Sequence, residues 1–317
     1  MTNDAGNRAP GGAHDTTTDR LDRIAGTIVG AAVGDALGAP YEFGIPGPDD
    51  PQMAGGGIGP WAPGEWTDDT EMTICVAEAI GGGTFDARAV GERFLAWFAS
   101  GPRDVGHQTR LVLAEARDAA DLADIAAEHH LARPHATAGN GSLMRTAPVA
   151  LAHLGDDVAI ARSATAVSAL THGDPRCAEA CVLWCIAIDR AITTGHPADV
   201  DAGLELVAAA SRGQWAAHIE QARACRPSDF VPNGFVVRAF QAALAAVHEA
   251  TDFASGLRAA VGAGHDTDTV GAIAGALLGA RFGLTAIPDA WLEPLHGSPG
   301  LDADGLVRLA HAVARAD

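Results

Sequence analysis

Lysine is absent from the 317-residue sequence, so all 21 basic residues are arginine. Without lysine the chain cannot form a Schiff base, attach pyridoxal phosphate covalently or supply the lysine of a phosphate-binding P-loop. Aromatic residues are also scarce, at 5% of the composition, whereas acidic residues are abundant and give a formal net charge of -19 at pH 7. Because this charge repels a nucleic-acid backbone, we expect no stable nucleic-acid binding.

Cysteines are few and do not have the spacing of a zinc site. Cys177, Cys181 and Cys185 recur at every fourth residue, which predicts small buried side chains along one side of a helix. The apolar stretch from 269 to 287 contains Arg281 and several glycines, so it predicts a buried helix rather than a membrane span. The N-terminal residues lack the pattern of a signal peptide. We therefore expect a cytoplasmic protein with no membrane association, and a monomer, since nothing in the sequence demands assembly.

The apolar spacing predicts an all-α fold. Hydrophobic residues make up 48% of the chain and recur at intervals of three to four positions, and alanine and leucine, which favour helix, dominate these stretches. We predict about twelve helices from this pattern. Residues 21–317 would form one domain. Residues 1–20 are polar and contain glycine and proline, which predicts a disordered leader.

Two predicted helix starts carry more oxygen atoms than helix capping requires. Residues 66–72 read WTDDTEM, residues 264–269 read GHDTDT, and an apolar helical pattern follows each of them. Carboxylates and hydroxyls suit a hard divalent cation such as Mg²⁺ or Mn²⁺. If the two starts converge, four aspartates share one site and need cations to remain ionised. The alternative is two unrelated acidic caps on the surface.

Three further segments bring polar residues together with glycine. Residues 34–43 end a glycine-rich helix and are predicted to place Asp35 and Glu42 in a loop, where aromatic neighbours would raise the pKa of Glu42 and suit it to proton transfer. Residues 139–145 predict a glycine-rich turn that opens a helix and offers backbone amides to phosphate. Residues 171–175 are predicted to form a loop that contains His172, for which both a structural and a catalytic role stay open.

The order and spacing of these five segments resemble the ADP-ribosylglycohydrolase family, over residues 22–285. The resemblance implies an orthogonal multi-helix bundle that hydrolyses a glycosidic bond to ADP-ribose at a centre of two Mg²⁺ ions, with Mn²⁺ possible in their place. The metal ligands that it implies are Thr67, Asp68, Asp69, Asp266, Asp268 and Thr269. The substrate-binding residues that it implies are Asn140, Gly141, Ser142 and His172. His265 stands where many relatives have a small residue, and we expect it to affect access rather than ligation.

Within this resemblance we assign catalysis to three carboxylates. Asp68 or Asp69 would help to activate the attacking water, and Glu42 would orient the substrate or move a proton. The transition state would have oxocarbenium character at the anomeric carbon, which nearby carboxylates stabilise. The substrate would be an ADP-ribosylated protein or a small-molecule conjugate, with ADP-ribosylarginine preferred over serine-linked or other conjugates.

Three other interpretations stay open at this point. Asp68 and Asp69 are similar to the aspartate-rich motif of a class I terpene synthase, although Met72 stands where a later acid is needed. His265 and Asp266 would suit a histidine-aspartate phosphohydrolase, which leaves the first acidic helix start without a role. A family member that binds ADP-ribose without turnover is the third interpretation, against which the intact carboxylates argue.

Overall fold

The structure, a computed structural model, describes residues 17–45, 47–80, 85–195 and 199–314. The α-helices are α1 (Thr17–Gly38), α2 (Asp68–Ile80), α3 (Ala87–Ala99), α4 (His107–Glu115), α5 (Leu122–Ala132), α6 (Ala147–Ala152), α7 (Asp157–Ala169), α8 (Pro175–Thr194), α9 (Arg212–Ala224), α10 (Val236–Glu249), α11 (Phe253–Gly262), α12 (Thr267–Phe282), α13 (Asp289–Leu292) and α14 (Ala303–Ala314). Short 3-10 helices span Ala39–Tyr41, Asp201–Leu206, Pro227–Phe230 and Leu284–Ala286.

The predicted all-α fold is confirmed. Strand structure in the described residues is limited to β1 (His296–Gly297) and β2 (Leu301–Asp302), which pair antiparallel, and to three isolated bridges. Among the same residues no helix is both long and apolar enough to cross a membrane. The predicted disordered leader lies outside the described residues up to position 16, but residues 17–20 form the first turn of α1, where Asp19 is favourably placed near the positive end of the helix.

Helices α1 and α12 form the centre of the fold and run antiparallel in close contact. Glycines at every fourth position of α1 face glycines of α12, and the three pairs are Gly26 with Gly279, Gly30 with Gly275, and Gly34 with Gly271. A Cβ atom on any of these glycines would overlap a backbone carbonyl of the other helix. Glycine is therefore required at this crossing, because only bare backbone allows the two helix axes to approach so closely.

The close crossing brings the C-terminal end of α1 against the N-terminal end of α12. The Thr267 hydroxyl donates a hydrogen bond to the Gly38 carbonyl at 2.8 Å. One turn before that end, Asp35 points towards the start of α2 and accepts hydrogen bonds from the backbone amides of Thr67 and Thr70, each at 3.0 Å, and from the Thr70 hydroxyl at 2.6 Å. Three helix ends therefore meet at one place.

The structure places Asp35 differently from the prediction, whereas the three cysteines lie as predicted. Asp35 was expected in a loop, but it lies fully buried within α1, where it caps the start of α2 from outside that helix. Burial raises the pKa of Asp35 to about 7, against the opposing effect of its hydrogen bonds. Cys177, Cys181 and Cys185 lie buried along α8 as free thiols, as predicted.

Candidate metal centre and substrate cleft

The two acidic helix starts meet in the folded chain. The hydroxyl of Thr269, at the start of α12, donates to Asp69 Oδ2 at the start of α2, at 3.4 Å. The Thr67 hydroxyl donates to the same oxygen, also at 3.4 Å. Asp68, Asp69 and Asp268 are all buried. The structure therefore places the six residues predicted as metal ligands at neighbouring helix starts.

Glu42 joins this cluster from the loop that follows α1. One carboxylate oxygen each of Glu42, Asp266 and Asp268 lie within 4.8 Å of one another, which is a spacing that one cation can bridge. The sequence predicts that Glu42 orients the substrate or moves a proton, and it does not predict a place for Glu42 among the metal ligands. The grouping with Asp266 and Asp268 depends on the loop geometry and not on the local sequence.

The charges at the cluster fit a site for divalent cations. Asp69 Oδ1 is buried and has no hydrogen-bond partner among the described residues. Burial, and then the neighbouring carboxylates, raise the pKa of Asp68 to about 8 and the pKa values of Asp69 and Asp268 well above their usual range. The charges that act on Asp69 and Asp268 are those of other carboxylates. Such a group ionises fully only when cations compensate it, and oxygen ligands suit Mg²⁺ or Mn²⁺.

Two asparagines hold the loop that carries Asp266. Asn140 Nδ2 donates to Asp266 Oδ2 at 2.8 Å, so this predicted substrate-binding residue also orients a carboxylate of the cluster. Asn233 is fully buried, accepts the Asp266 amide at 2.9 Å and donates to the Gly264 carbonyl at 3.1 Å. Asn233 was not predicted from the sequence, because asparagine between proline and glycine in a loop has no signal beyond that of a turn.

His265, the departure noted in the sequence, adopts a left-handed backbone with φ 69° and does not displace a ligand. Its Nδ1 lies 3.1 Å from Asn233 Oδ1, and its ring packs edge-on against Phe43 with centroids 5.6 Å apart. The Phe43 amide donates to the His265 carbonyl at 2.5 Å. His265 therefore ties the loop after α1, which carries Glu42, to the loop before α12.

Asp104 is a further acidic residue of the cleft that was not predicted from the sequence. It is half-buried, lines the cleft, and its charge contributes to the raised pKa values of Asp68 and Glu42. The adjacent Arg103 binds Glu65, and this contact pins the loop of Asp104 to the segment before α2. Asp104 could not be singled out from the sequence, because an aspartate in a loop that also contains glycine and proline normally indicates only a turn.

A cleft of about 440 Å³ opens over the carboxylates. Nine of the predicted site residues line it, namely Glu42, Asp68, Asp69, Asn140, Gly141, His172, Asp266, Asp268 and Thr269. Thr67 lies beneath Asp69, outside this lining. On the far side of the cleft His172 is 3% exposed and lies beside the turn that contains Gly141.

Ser142, predicted as a substrate-binding residue, does not line the cleft. It is fully buried, and its hydroxyl accepts from Ser168 at 2.9 Å and lies 3.6 Å from Cys181 Sγ. The turn at 139–145 precedes α6, and its first candidate amide for phosphate, that of Asn140, already donates to the Gly234 carbonyl at 3.2 Å. A serine in a glycine-rich turn suggests exposure, but here the turn packs against α7 and α8.

A family profile, two known proteins and one solved structure were found to be similar to this chain, and all of them point to the same family. The sequence profile of the ADP-ribosylglycohydrolase family matches residues 16–317. The chain is 31% identical over 283 residues to the ADP-ribosyl-(dinitrogen reductase) glycohydrolase of Rhodospirillum rubrum, across 86% of this chain and 90% of that protein. It is 30% identical over 298 residues to ADP-ribosylarginine hydrolase Tri1 of Pseudomonas putida, across 88% of this chain and 75% of that protein. A solved structure titled as an ADP-ribosylglycohydrolase-related protein complex matches with TM-score 0.72 and 33% identity, and covers 94% of this chain and 99% of that one.

Proposed function

The chain belongs to the ADP-ribosylglycohydrolase family and is a hydrolase of ADP-ribosyl glycosidic bonds, and we propose that it releases ADP-ribose from modified arginine in a reaction that requires divalent metal ions. The observation that carries the metal requirement is the buried carboxylate cluster, in which Asp69 Oδ1 lacks a partner among the described residues. The proposed ligands of two Mg²⁺ ions are Thr67, Asp68, Asp69, Asp266, Asp268 and Thr269. Mn²⁺ has the same preference for oxygen ligands and is the second candidate.

In the proposed mechanism the residues of this chain position the reacting groups and stabilise charge on the substrate. Magnesium, when bound, supplies Lewis acidity and makes a nearby water more acidic. Asp68 and Asp69 line the cleft, and we assign to one of these carboxylates the activation of the attacking water. Asn140 donates to Asp266 and fixes the orientation of that carboxylate at the cleft wall. Glu42 also faces the cleft, and we assign to it the proton that the leaving group requires. The carboxylates together stabilise positive charge at the anomeric carbon of the substrate.

Arginine is proposed as the acceptor for two reasons. Relatives of this chain are named for ADP-ribosylarginine and for ADP-ribosylated dinitrogen reductase. The cleft also carries Asp104, whose carboxylate suits a cationic guanidinium better than a neutral serine hydroxyl. Serine-linked ADP-ribose is the second candidate acceptor, since the fold alone does not distinguish the linkages.

A comparison of linkages tests the acceptor. Free ADP-ribose would be measured after incubation with arginine-, serine- and glutamate-linked substrates in Mg²⁺. We expect release mainly from the arginine linkage, and we expect Asp104→Asn to slow it more than it slows release from serine. Exclusive release from serine would contradict the proposed acceptor.

Asparagine substitutions test the proposed metal ligands. Asp68→Asn and Asp69→Asn should each lower turnover by at least ~100-fold, because the carboxylates that the cations need are removed. Asp304→Asn is the matched control, since Asp304 lies in the first turn of α14 and is exposed. Full activity in the Asp68→Asn, Asp69→Asn double variant would refute the site.

A further inference from the structure

Arg145 is a fully buried cation that is held without a carboxylate partner among the described residues. Its Nη2 donates to Thr171 Oγ1 at 2.6 Å and to the Val167 carbonyl at 3.4 Å. Its guanidinium carbon lies 4.4 Å from the centroid of the Phe94 ring. Burial lowers the pKa of Arg145 to about 10, so the side chain remains charged near neutral pH. Burying a charged guanidinium without a carboxylate partner costs folding free energy. The groups that Arg145 contacts therefore indicate what it does in the folded chain.

The hydrogen bond from Arg145 constrains the hydroxyl of Thr171. Arginine only donates, so Thr171 Oγ1 is the acceptor of that hydrogen bond. The hydroxyl keeps one hydrogen of its own, and His172 Nδ1 lies 2.8 Å from its oxygen. When that hydrogen is donated to Nδ1, Nδ1 is the unprotonated nitrogen of the ring. Burial and the charge of Arg145 both lower the pKa of His172, to about 3, which agrees with a neutral ring.

A neutral ring with unprotonated Nδ1 carries its hydrogen on Nε2. That nitrogen faces the turn at the cleft wall, because Cβ atoms built on Gly139 and Gly141 would lie 3.5 Å and 3.4 Å from it. His172 itself lines the cleft, and the hydrogen bond that its ring makes to the described residues is at Nδ1, not at Nε2. The result is one N–H donor at the wall of the cleft.

We propose that Arg145 and Thr171 are positioning residues that fix His172 as a neutral Nε2–H donor to an oxygen atom of bound ADP-ribose. This rests on the proposed function in one respect, namely that ADP-ribose occupies the cleft. Arg145 supplies two hydrogens to the Thr171 oxygen and the Val167 carbonyl, and the Thr171 hydroxyl turns its own hydrogen towards Nδ1. The glycines at 139 and 141 leave room for the donor to reach the ligand.

The tautomer can be measured without substrate. In ¹⁵N-labelled protein, subtraction of the His172→Gln spectrum assigns the two ring nitrogens of His172 by NMR. We expect a protonated Nε2 and an unprotonated Nδ1. Thr171→Val removes the hydroxyl at nearly constant volume and should give a mixture of tautomers, and Thr171→Ser should restore the single form. A protonated Nδ1 in the original protein, or an unchanged spectrum in Thr171→Val, would overturn the proposal.

Ligand affinity provides the second readout. Calorimetric titration with ADP-ribose should show roughly three- to tenfold weaker binding for His172→Gln, the loss expected for one neutral hydrogen bond. Thr171→Val should show a smaller loss, because only part of the population then carries the Nε2–H donor. The double variant should bind no more weakly than His172→Gln alone, because both changes act on the same contact. Thr165→Val, an exposed threonine of α7, is the matched control and should bind normally. Unchanged affinity in a folded Thr171→Val protein would contradict the proposal.

A second variant covers the case in which Thr171→Val does not fold, and the NMR result can be judged separately from the proposed function. Arg145→Met replaces the cation with an apolar chain of similar size, a change that buried charged sites often tolerate. This variant serves if Thr171→Val does not fold, and it should also give mixed tautomers, since the Thr171 oxygen is then free to accept from Nδ1. Failure of the original protein to bind ADP-ribose would count against the proposed function, whereas the NMR result stands independently of it.

Discussion

Replacement of Gly271 by alanine tests whether the glycine crossing of α1 and α12 determines the geometry of the site. The new Cβ would overlap the Gly34 carbonyl, which is backbone and cannot rotate away as a side chain would. The helices must separate, at the cost of overpacking, about 1–3 kcal/mol. Alanine recovers about 1 kcal/mol through its higher helix propensity. We expect a net loss of roughly 1 kcal/mol, within a range of about 0–2 kcal/mol, in the free energy of unfolding.

The assay is urea unfolding at 25 °C with turnover measured in parallel. Gly213→Ala is the matched control, because Gly213 lies in α9 and a Cβ atom added there would meet no described atom within 4 Å. It should gain up to about 1 kcal/mol. Gly279→Ala should lose stability as Gly271→Ala does, but Gly279 lies about 12 Å farther along α12 from the acidic start. Turnover should therefore fall more in Gly271→Ala. A Gly271→Ala protein as stable and active as the original would refute the reasoning.

Three further predictions concern single polar residues. Asn233→Ala should weaken Mg²⁺ binding by about 10–100-fold in a metal titration, because Asp266 loses its support, and unchanged binding would contradict this. Asp35→Ala should lower the free energy of unfolding by about 1–2 kcal/mol, since the start of α2 loses its cap; no change in thermal unfolding would argue otherwise. The pKa of His172 is lowered to about 3 in the folded chain, so the unfolded chain binds the extra proton below pH 6.5 and stability falls as the pH falls. Between pH 7 and pH 5 the free energy of unfolding of the original protein should therefore fall by about 2 kcal/mol more than that of His172→Gln. An identical pH dependence in the two proteins would exclude this contribution.

The sequence predicted those features that depend on local pattern. The helical spacing, the buried cysteines of α8 and the two acidic helix starts all follow from residues within a few positions of one another. The sequence did not predict that Asp69 and Thr269 come together; the predicted metal site only required it. The structure supplies the reason for it, which is the row of glycines that lets α1 and α12 lie in contact.

The sequence did not predict contacts between distant segments. Asn233 and Asp104 lie in loops whose composition indicates only turns, and their positions depend on packing against α12 and α2. The burial of Ser142 could not be predicted either, because a glycine-rich turn suggests exposure, whereas its hydroxyl lies against α7 and α8. Asp35 was placed in a loop because the start of α2, which it caps, is 32 residues away in the chain.

The central claim is that the buried carboxylates act through divalent cations. Its most direct test is release of ADP-ribose from an ADP-ribosylarginine peptide by protein stripped with EDTA, before and after Mg²⁺ is added back. We predict no release from the stripped protein and full recovery on addition of Mg²⁺, with no recovery in Asp69→Asn. Turnover that persists in EDTA would contradict the account.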